Sequence, residues 1–336
     1  MLSSRFKPWH LVPFSLRYAR LRFQRRPVLV HFDVTMRCNA RCDFCDYWKT
    51  DAKAKETELK SFADAARHFR PMMITFTGGE PLLRPDLEDI IAEVARAAPI
   101  TWMSVITHGA MLSVARAQSL WDAGLAQFAV SLDFLDERHD AARGIPGLSA
   151  KILRTVPELV ARGMTVRFNT VIKRENLDDI LPLVRRAAAI GAGVNLSVYT
   201  DFKNGNRAHL LDQPHLARVD ALVAELLAFK RRHRGVISNS DWYIANIPAY
   251  LRGALREPCR SGETTIHIDP VGMVRRCPDF PSEGHWSEYR GFAPIACNSC
   301  YYACRGEAQA PLTISRFRDL GGSPRPIPGT AASSPA

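Results

Sequence analysis

The residues best placed to do chemistry are eight cysteines, and they fall in two groups. Cys38, Cys42 and Cys45 come first, and Cys259, Cys277, Cys297, Cys300 and Cys304 follow more than two hundred residues later. The first group has the spacing C-x3-C-x2-C and directly follows a strand-like run. Three thiolates on one short loop can hold three irons of a four-iron cluster, leaving the fourth iron open to a substrate or cofactor group. A structural zinc site calls for four protein ligands, yet no His or Cys lies between Cys45 and His68. An export signal is not expected, because Lys7, Pro8, His10 and Pro13 interrupt any apolar N-terminal run. No window holds 18 consecutive apolar residues, so no membrane-spanning helix is expected. The expected compartment is therefore the reducing cytoplasm, where clustered thiols serve as metal ligands rather than disulfides.

The elements that must position these thiols can be read from periodicity. Strand-like runs occur at Val28–Val34, Met72–Phe76, Thr101–Ile106, Gln127–Leu132, Thr165–Val171 and Val194–Val198. Helix-like stretches at Asp86–Ala97, Val114–Ala123, Ala150–Arg162 and Leu177–Ala189 lie between them, with apolar residues at helical intervals. Such alternation predicts an α/β fold with a parallel sheet, either doubly wound or a partial barrel, whose functional groups gather at the strand ends. Two further helices are predicted at His215–Arg232 and Trp242–Leu255. Beyond Pro258 the chain is rich in Gly, Pro and Cys, a composition that metal ligation would hold together. The Gly/Pro/Ala/Ser-rich end, within residues 311–336, is expected to be a disordered tail.

The composition, 46% apolar and 24% charged over 336 residues, excludes a collagen, a coiled coil and a wholly disordered chain. The formal charge of +11 is concentrated at one end. Residues 1–32 hold Arg5, Lys7, Arg17, Arg20, Arg22, Arg25 and Arg26 and no acid. Nucleic acid is therefore not expected as a partner. Trp9, Phe14, Tyr18 and Phe23 interleave with these arginines, which suits an anionic membrane surface or an acidic peptide. On a helical wheel Leu16, Ala19 and Phe23 oppose Phe14, Tyr18 and Leu21, so packing against the fold and membrane contact through residues 1–26 both remain open.

The motifs also carry a resemblance. Cys38-x3-Cys42-x2-Cys45 with Phe44 before the last cysteine resembles the signature of the radical S-adenosylmethionine enzymes, and further matches follow in order. Thr77-Gly78-Gly79-Glu80-Pro81-Leu82-Leu83 ends the second strand, where that family has GGEPLL. Ser131-Leu132-Asp133 ends the fourth, His139-Asp140-Ala141-Ala142-Arg143-Gly144 resembles HDxxRG, and Arg167–Ile172 ends the fifth. The resemblance covers about residues 28–305. It implies a partial (βα)6 TIM-like barrel with a small Cys-rich C-terminal domain: a basic segment 1–27, a core 28–235 and an auxiliary domain 236–310. It also implies that Cys38, Cys42 and Cys45 ligate a [4Fe-4S] cluster. Phe44, Gly78, Gly79, Glu80, Ser131, Arg143 and Asn169 would then contact S-adenosylmethionine. Two departures stand out: His108 where the family more often has Asn, and Phe134 where Gly is common.

Cys259-x12-Gly272-x4-Cys277 resembles the opening of SPASM and Twitch auxiliary-cluster domains, with a hairpin predicted from Thr264–Ile268 and Met273–Arg276. Five cysteines are too few for two further four-iron clusters. The count favours one, held by Cys259, Cys277, Cys297 and Cys300, with Cys304 spare; four cysteines alone do not name the metal, so zinc stays open. The expected activity is reductive cleavage of S-adenosylmethionine to a 5′-deoxyadenosyl radical that abstracts hydrogen from a peptide or protein, giving oxidative modification. The alternatives are the same chemistry on a small molecule or lipid, and a non-catalytic iron–sulfur or zinc module. Expected partners are a reduced flavodoxin- or ferredoxin-type donor and the substrate. Cys304 and His108 are the candidate catalytic residues, and the expected location is cytoplasmic, peripheral to the inner face of the membrane if residues 1–26 dock there.

Overall fold

Alternating strands and amphipathic helices in the sequence become an ordered α/β sheet in the computed structural model, which describes residues 11–49, 59–290, 294–295, 297–311 and 326–327. Arg5, Lys7 and Trp9 of the basic segment, and most of the 311–336 tail, lie outside the described residues. A first helix, α1 (Leu11–Phe23), leads into β1 (Leu29–Thr35), and α2 (Leu59–Phe69) precedes β2 (Met73–Gly78). Then come α3 (Leu87–Ala97), β3 (Trp102–Thr107), α4 (Val114–Ala123) and β4 (Gln127–Ser131). Two helices, α5 (Glu137–Arg143) and α6 (Leu148–Ala161), separate β4 from β5 (Val166–Ile172), and α7 (Ile180–Ile190) leads to β6 (Gly193–Val198). The chain continues through α8 (Leu216–Arg232), α9 (Asp241–Leu251), β7 (Thr265–Ile268), β8 (Met273–Arg275), β9 (Gly284–His285) and α10 (Ala303–Gln309).

Strands β1 to β6 lie in sequence order and pair in parallel, the arrangement of a partial (βα)6 barrel. Why β1 is inside is plain from its residues. Val30, Phe32 and Val34 are fully buried on one side, where they join the apolar core with Phe62 and Phe69 of α2. The alternate residues His31, Asp33 and Thr35 are also buried, on the other side of the strand. A strand buried on both faces is normal for a parallel sheet, but a polar inner row is not what packing alone would select.

The predicted C-terminal hairpin forms, as β7 and β8. It is not a detached unit: β7 pairs in parallel with β1, so the sheet runs β6-β5-β4-β3-β2-β1-β7-β8-β9. The Cys-rich region is thereby carried to the open edge of the barrel. Predicted helices agree to within a few residues, except that Trp242–Leu255 stops at Leu251. Helices α2 and α5 were not anticipated. Helix α5 is short, starts at an Asp136 cap that accepts from the Arg138 N–H, and stops at left-handed Gly144.

Candidate active site at the strand ends

The cysteine loop leaves β1 at its carboxyl end, and the ends of the neighbouring strands hold it in place. The Gly79 N–H donates to the Thr35 carbonyl at 2.8 Å, and the Glu80 N–H to the Arg37 carbonyl at 2.7 Å. A Cβ on Gly78 would sit 2.2 Å from the Thr35 carbonyl oxygen, and one on Gly79 would sit 2.1 Å from that of Arg37. Gly78 also has a φ of +116°. The Gly-Gly pair is therefore demanded by the close approach of two backbones, the strand end and the cysteine loop.

Glu80 is buried and serves as a hub. Its carboxylate accepts from Thr107 Oγ1 at 2.6 Å and from the backbone N–H groups of His108 at 2.9 Å and Leu82 at 3.1 Å. Burial raises its pKa to about 7 against these donors. His108 Nδ1 accepts from the Ala110 N–H, which leaves Nε2 as the protonated nitrogen, 2.9 Å from Asn39 Oδ1 in the cysteine loop. Burial first, then the nearby Arg143, lower the His108 pKa to about 4, so the ring is neutral. His108 thus braces the loop and does not line the cavity described below.

The HDxxRG-like segment does the same from the other side. Arg143 Nη2 donates to Asp133 Oδ2 at 2.6 Å, and Nη1 stands 3.9 Å from Cys42 Sγ. Its guanidinium lies 4.9 Å over the Phe44 ring, which Lys173 approaches at 4.5 Å. The guanidinium fork is thus occupied at one tine by Asp133, while Nε is buried without a partner among the described residues. The Asp133 N–H donates to His139 Nδ1, and the Arg143 carbonyl accepts from the Arg41 N–H at 2.8 Å. A Cβ on Gly144 would come 3.1 Å from that of Arg41.

Ser131 and Asn169 stand opposite each other in register on β4 and β5. Asn195, in register with Asn169 on β6, donates to it through Nδ2 at 3.3 Å. Asn195 was missed in the sequence, although a polar amide is depleted in strands and was itself a signal.

The three thiols of the loop feel one another electrostatically, and burial pushes the Cys38 pKa up to about 11. In the C-terminal region, Cys259 is coupled to Cys297, Cys300 to both, and Cys277 to Cys300 and Cys304. Cys304, expected to be spare, is also coupled to Cys300 and Cys259, and burial pushes it up to about 12. Among the described residues no three His, Cys, Asp or Glu side chains close on a single ion. Buried, loosely gathered thiols are costly to ionise alone, and a multi-iron cluster supplies the missing positive charge while filling the space between them. Both thiol sets fit such a group by their donor chemistry.

A cavity of about 300 Å³ lies between the two sets, with Cys45 and Phe44 on one side and Asp279, Tyr302 and Cys304 on the other. His31, Asp33 and His267 line it as well. None of these last three was singled out in the sequence, although His and Asp alternating with apolar residues in Val30–Val34 gave the signal.

Comparison with known proteins agrees with this geometry. Residues 32–187 match the model of the Radical SAM superfamily. The PqqA peptide cyclase of Ruegeria pomeroyi is 28% identical over 84% of this chain and 84% of its own length. That of Granulibacter bethesdensis is 26% identical over 80% and 78%. Among solved structures, Streptococcus suis SuiB bound to S-adenosylmethionine superposes with a TM-score of 0.65 at 14% identity, covering 82% of this chain and 68% of that one. Native anSMEcpe with bound AdoMet and Cp18Cys peptide gives 0.60 at 16%, over 78% and 77%. These structures share the fold, and enzymes of this family use a four-iron cluster and S-adenosylmethionine. Residues 32–187 thus carry a core like that of the radical S-adenosylmethionine enzymes, and the C-terminal cysteines are added to that core.

Proposed function

We propose that this enzyme oxidatively modifies a peptide or protein substrate bound in the cavity between its two cysteine sets. The observation that carries the reading is that Cys45 and Cys304 line the same cavity. A substrate there would face a radical source on one side and, on the other, Cys304, whose thiol feels those of Cys300 and Cys259 in the second set. The likeness to PqqA peptide cyclases over more than three quarters of the chain supports a peptide. Cys38, Cys42 and Cys45 would hold the first cluster, and Cys259, Cys277, Cys297 and Cys300 the second, within a core of residues 28–235 and an auxiliary region of 236–310.

With cofactors bound, the first site supplies a 5′-deoxyadenosyl radical. The chain's own residues do the rest. Gly78 and Gly79 keep the backbone next to the cysteine loop, and Glu80 locks that segment to β3. Ser131 and Asn169 offer neutral hydrogen bonds at adjoining strand ends, suited to ribose hydroxyls. Arg143 lends positive charge to the thiolate of Cys42, and the Phe44 backbone would face the adenine. Ile106, Val171 and Tyr199 give the cavity apolar walls that exclude water. A flavodoxin- or ferredoxin-type protein would deliver the electron in the cytoplasm.

The test is anaerobic reconstitution with iron and sulfide, then incubation with S-adenosylmethionine, a reductant and peptides encoded beside the gene. Release of 5′-deoxyadenosine and loss of two hydrogens from a peptide are expected. A fully iron-loaded protein that releases no deoxyadenosine overturns the radical reading. Oxidation of a small molecule or lipid, with every such peptide untouched, overturns the peptide.

Helix α1 favours a second feature, peripheral contact with an anionic membrane. Arg17 donates to the carbonyls of Pro99 and Ile100, and Leu21 is buried, so one side packs on the barrel. Val12, Leu16 and Phe23 are exposed and fall within about 40° of one another on the opposite side. The exposed side is left free to meet a membrane surface. Arg20 on the helix and Arg25 just after it are exposed, complementary to lipid phosphates.

A further inference from the structure

The cavity wall made by β1 and β7 holds more orphaned polar atoms than the fold itself can use. His31 is 8% exposed, His267 is 6% and Asp33 is 0%. Both ring nitrogens of His31, Nδ1 of His267, Oδ1 of Asp33 and Nε of Arg275 are buried with no hydrogen-bond partner among the described residues. Such unpaired atoms are costly to the fold, and the four that belong to cavity-lining residues mark a place where something else completes them. The rings of His31 and His267 stack 4.3 Å apart at 13°. His267 Nδ1 stands 3.6 Å from Asp33 Oδ1, beyond hydrogen-bond reach yet within one small movement of it. Asp33 is in turn paired with Arg275 on β8.

We propose that the stacked His31–His267 pair accepts the proton a substrate loses during oxidation. This rests on the radical reading above. Transfer of one hydrogen atom from a substrate C–H bond to the deoxyadenosyl carbon yields 5′-deoxyadenosine and a substrate radical. Completing a two-electron oxidation forms a new bond from that carbon to an O, N, S or C atom, or a double bond. One proton and one electron leave in that step. The proton passes to an unprotonated imidazole nitrogen of the pair, and the electron to an oxidised iron–sulfur centre at the C-terminal cysteines. The group that binds here is an uncharged X–H donor such as a hydroxyl or amide, because the neutral His31 ring offers it both a lone pair and an N–H.

The electrostatics suit this task. Burial, then the neighbouring His267, keep His31 well below its usual pKa, so its ring is neutral and able to accept. Burial alone would raise Asp33, but His267, Arg275 and His31 hold it below the usual carboxylate range, ready as the counter-charge. The charged and titratable groups around the pair are Asp33 on β1, Arg275 on β8 and Tyr47 after the cysteine loop, which is coupled to both. Lys203 and Asp279 line the same cavity from the loops after β6 and β8, with the thiols of Cys45 and Cys304 and the phenols of Tyr199 and Tyr302.

The experiment compares wild type with H31Q and H267Q, each as the reconstituted full chain, on a peptide that wild type oxidises. Wild type should release deoxyadenosine and oxidised peptide near one-to-one. The variants should still release deoxyadenosine while oxidised peptide falls by about a hundredfold, and added imidazole should restore coupling in H31A. Retained one-to-one coupling in both variants overturns the proposal. If wild type itself releases no deoxyadenosine, it is the radical reading that has failed. A readout independent of turnover comes from nitrogen-15 histidine spectra of the full wild-type chain, with His31 identified by its loss in H31Q. A His31 ring that stays neutral at pH 6 is expected, and one already protonated at pH 7 overturns the proposal even where H267Q fails to fold.

Discussion

His31 and His267 stand directly opposite each other in register on the parallel strands β1 and β7, with their rings stacked. The pairing that joins the C-terminal hairpin to the barrel is thus the same pairing that builds the polar wall of the cavity. Joining the sheet and completing the site are one structural event.

The ion pair beneath those rings gives a stability prediction. Asp33→Asn leaves Arg275 buried against a neutral partner and should cost about 3 kcal/mol or more in denaturant unfolding. Asp33→Asn combined with Arg275→Met should cost less than either change alone, because no unpaired charge remains. The folded-state pKa of Asp33 lies below its usual 3.8. Its contribution is therefore present above that value and lost as pH falls through the lowered one. The stability gap between wild type and Asp33→Asn should hold down to about pH 4 and narrow only in stronger acid.

Gly79→Ala must push the cysteine loop away from the end of β2, because its Cβ would fall 2.1 Å from the Arg37 carbonyl oxygen. Loss of iron from the N-terminal site is expected, read as about half the iron per chain. Gly163→Ala is the contrast. It has a positive φ, which Gly79 does not, and its Cβ meets nothing within 4 Å. That change should cost about 1 kcal/mol of backbone strain and leave the iron unchanged. Equal iron loss in both would refute the contact argument.

Iron counting separates the two thiol sets. Wild type should hold about eight irons per chain. Removal of Cys38, Cys42 and Cys45 together should leave about four, as should removal of Cys277 and Cys300. Cys304→Ala should keep about eight if that thiol is spare, and a fall to about four would make it a ligand.

At the other end of the molecule, Leu16→Glu with Phe23→Glu places two acids on the exposed stripe of α1. Sedimentation with anionic phospholipid vesicles should fall by more than about tenfold, while deoxyadenosine release is unchanged. Binding of the wild type should weaken as salt rises. Equal sedimentation of variant and wild type would remove the membrane contact.

How much of this was legible in the sequence follows from how local each feature is. The cysteine spacings, Gly78-Gly79-Glu80 and the strand-end residues Ser131 and Asn169 are short motifs on single loops or strands, and the strands themselves show in apolar periodicity. The role of each motif was less legible. Gly78 and Gly79, expected as contacts to S-adenosylmethionine, also pack against the loop backbone, and Arg143 is shared with Asp133.

By itself, then, the sequence determined the fold class, the two thiol sets and the strand ends that flank the first of them, because those signals lie within one or two elements. Only the tertiary structure decided that β7 pairs with β1, that His31 meets His267 above the Asp33–Arg275 pair, and that Cys45 and Cys304 share a cavity. The physical reason is range. Periodicity reports which face of an element is buried, but the partner it is buried against depends on strand register and loop closure across more than two hundred residues, and nothing local encodes that.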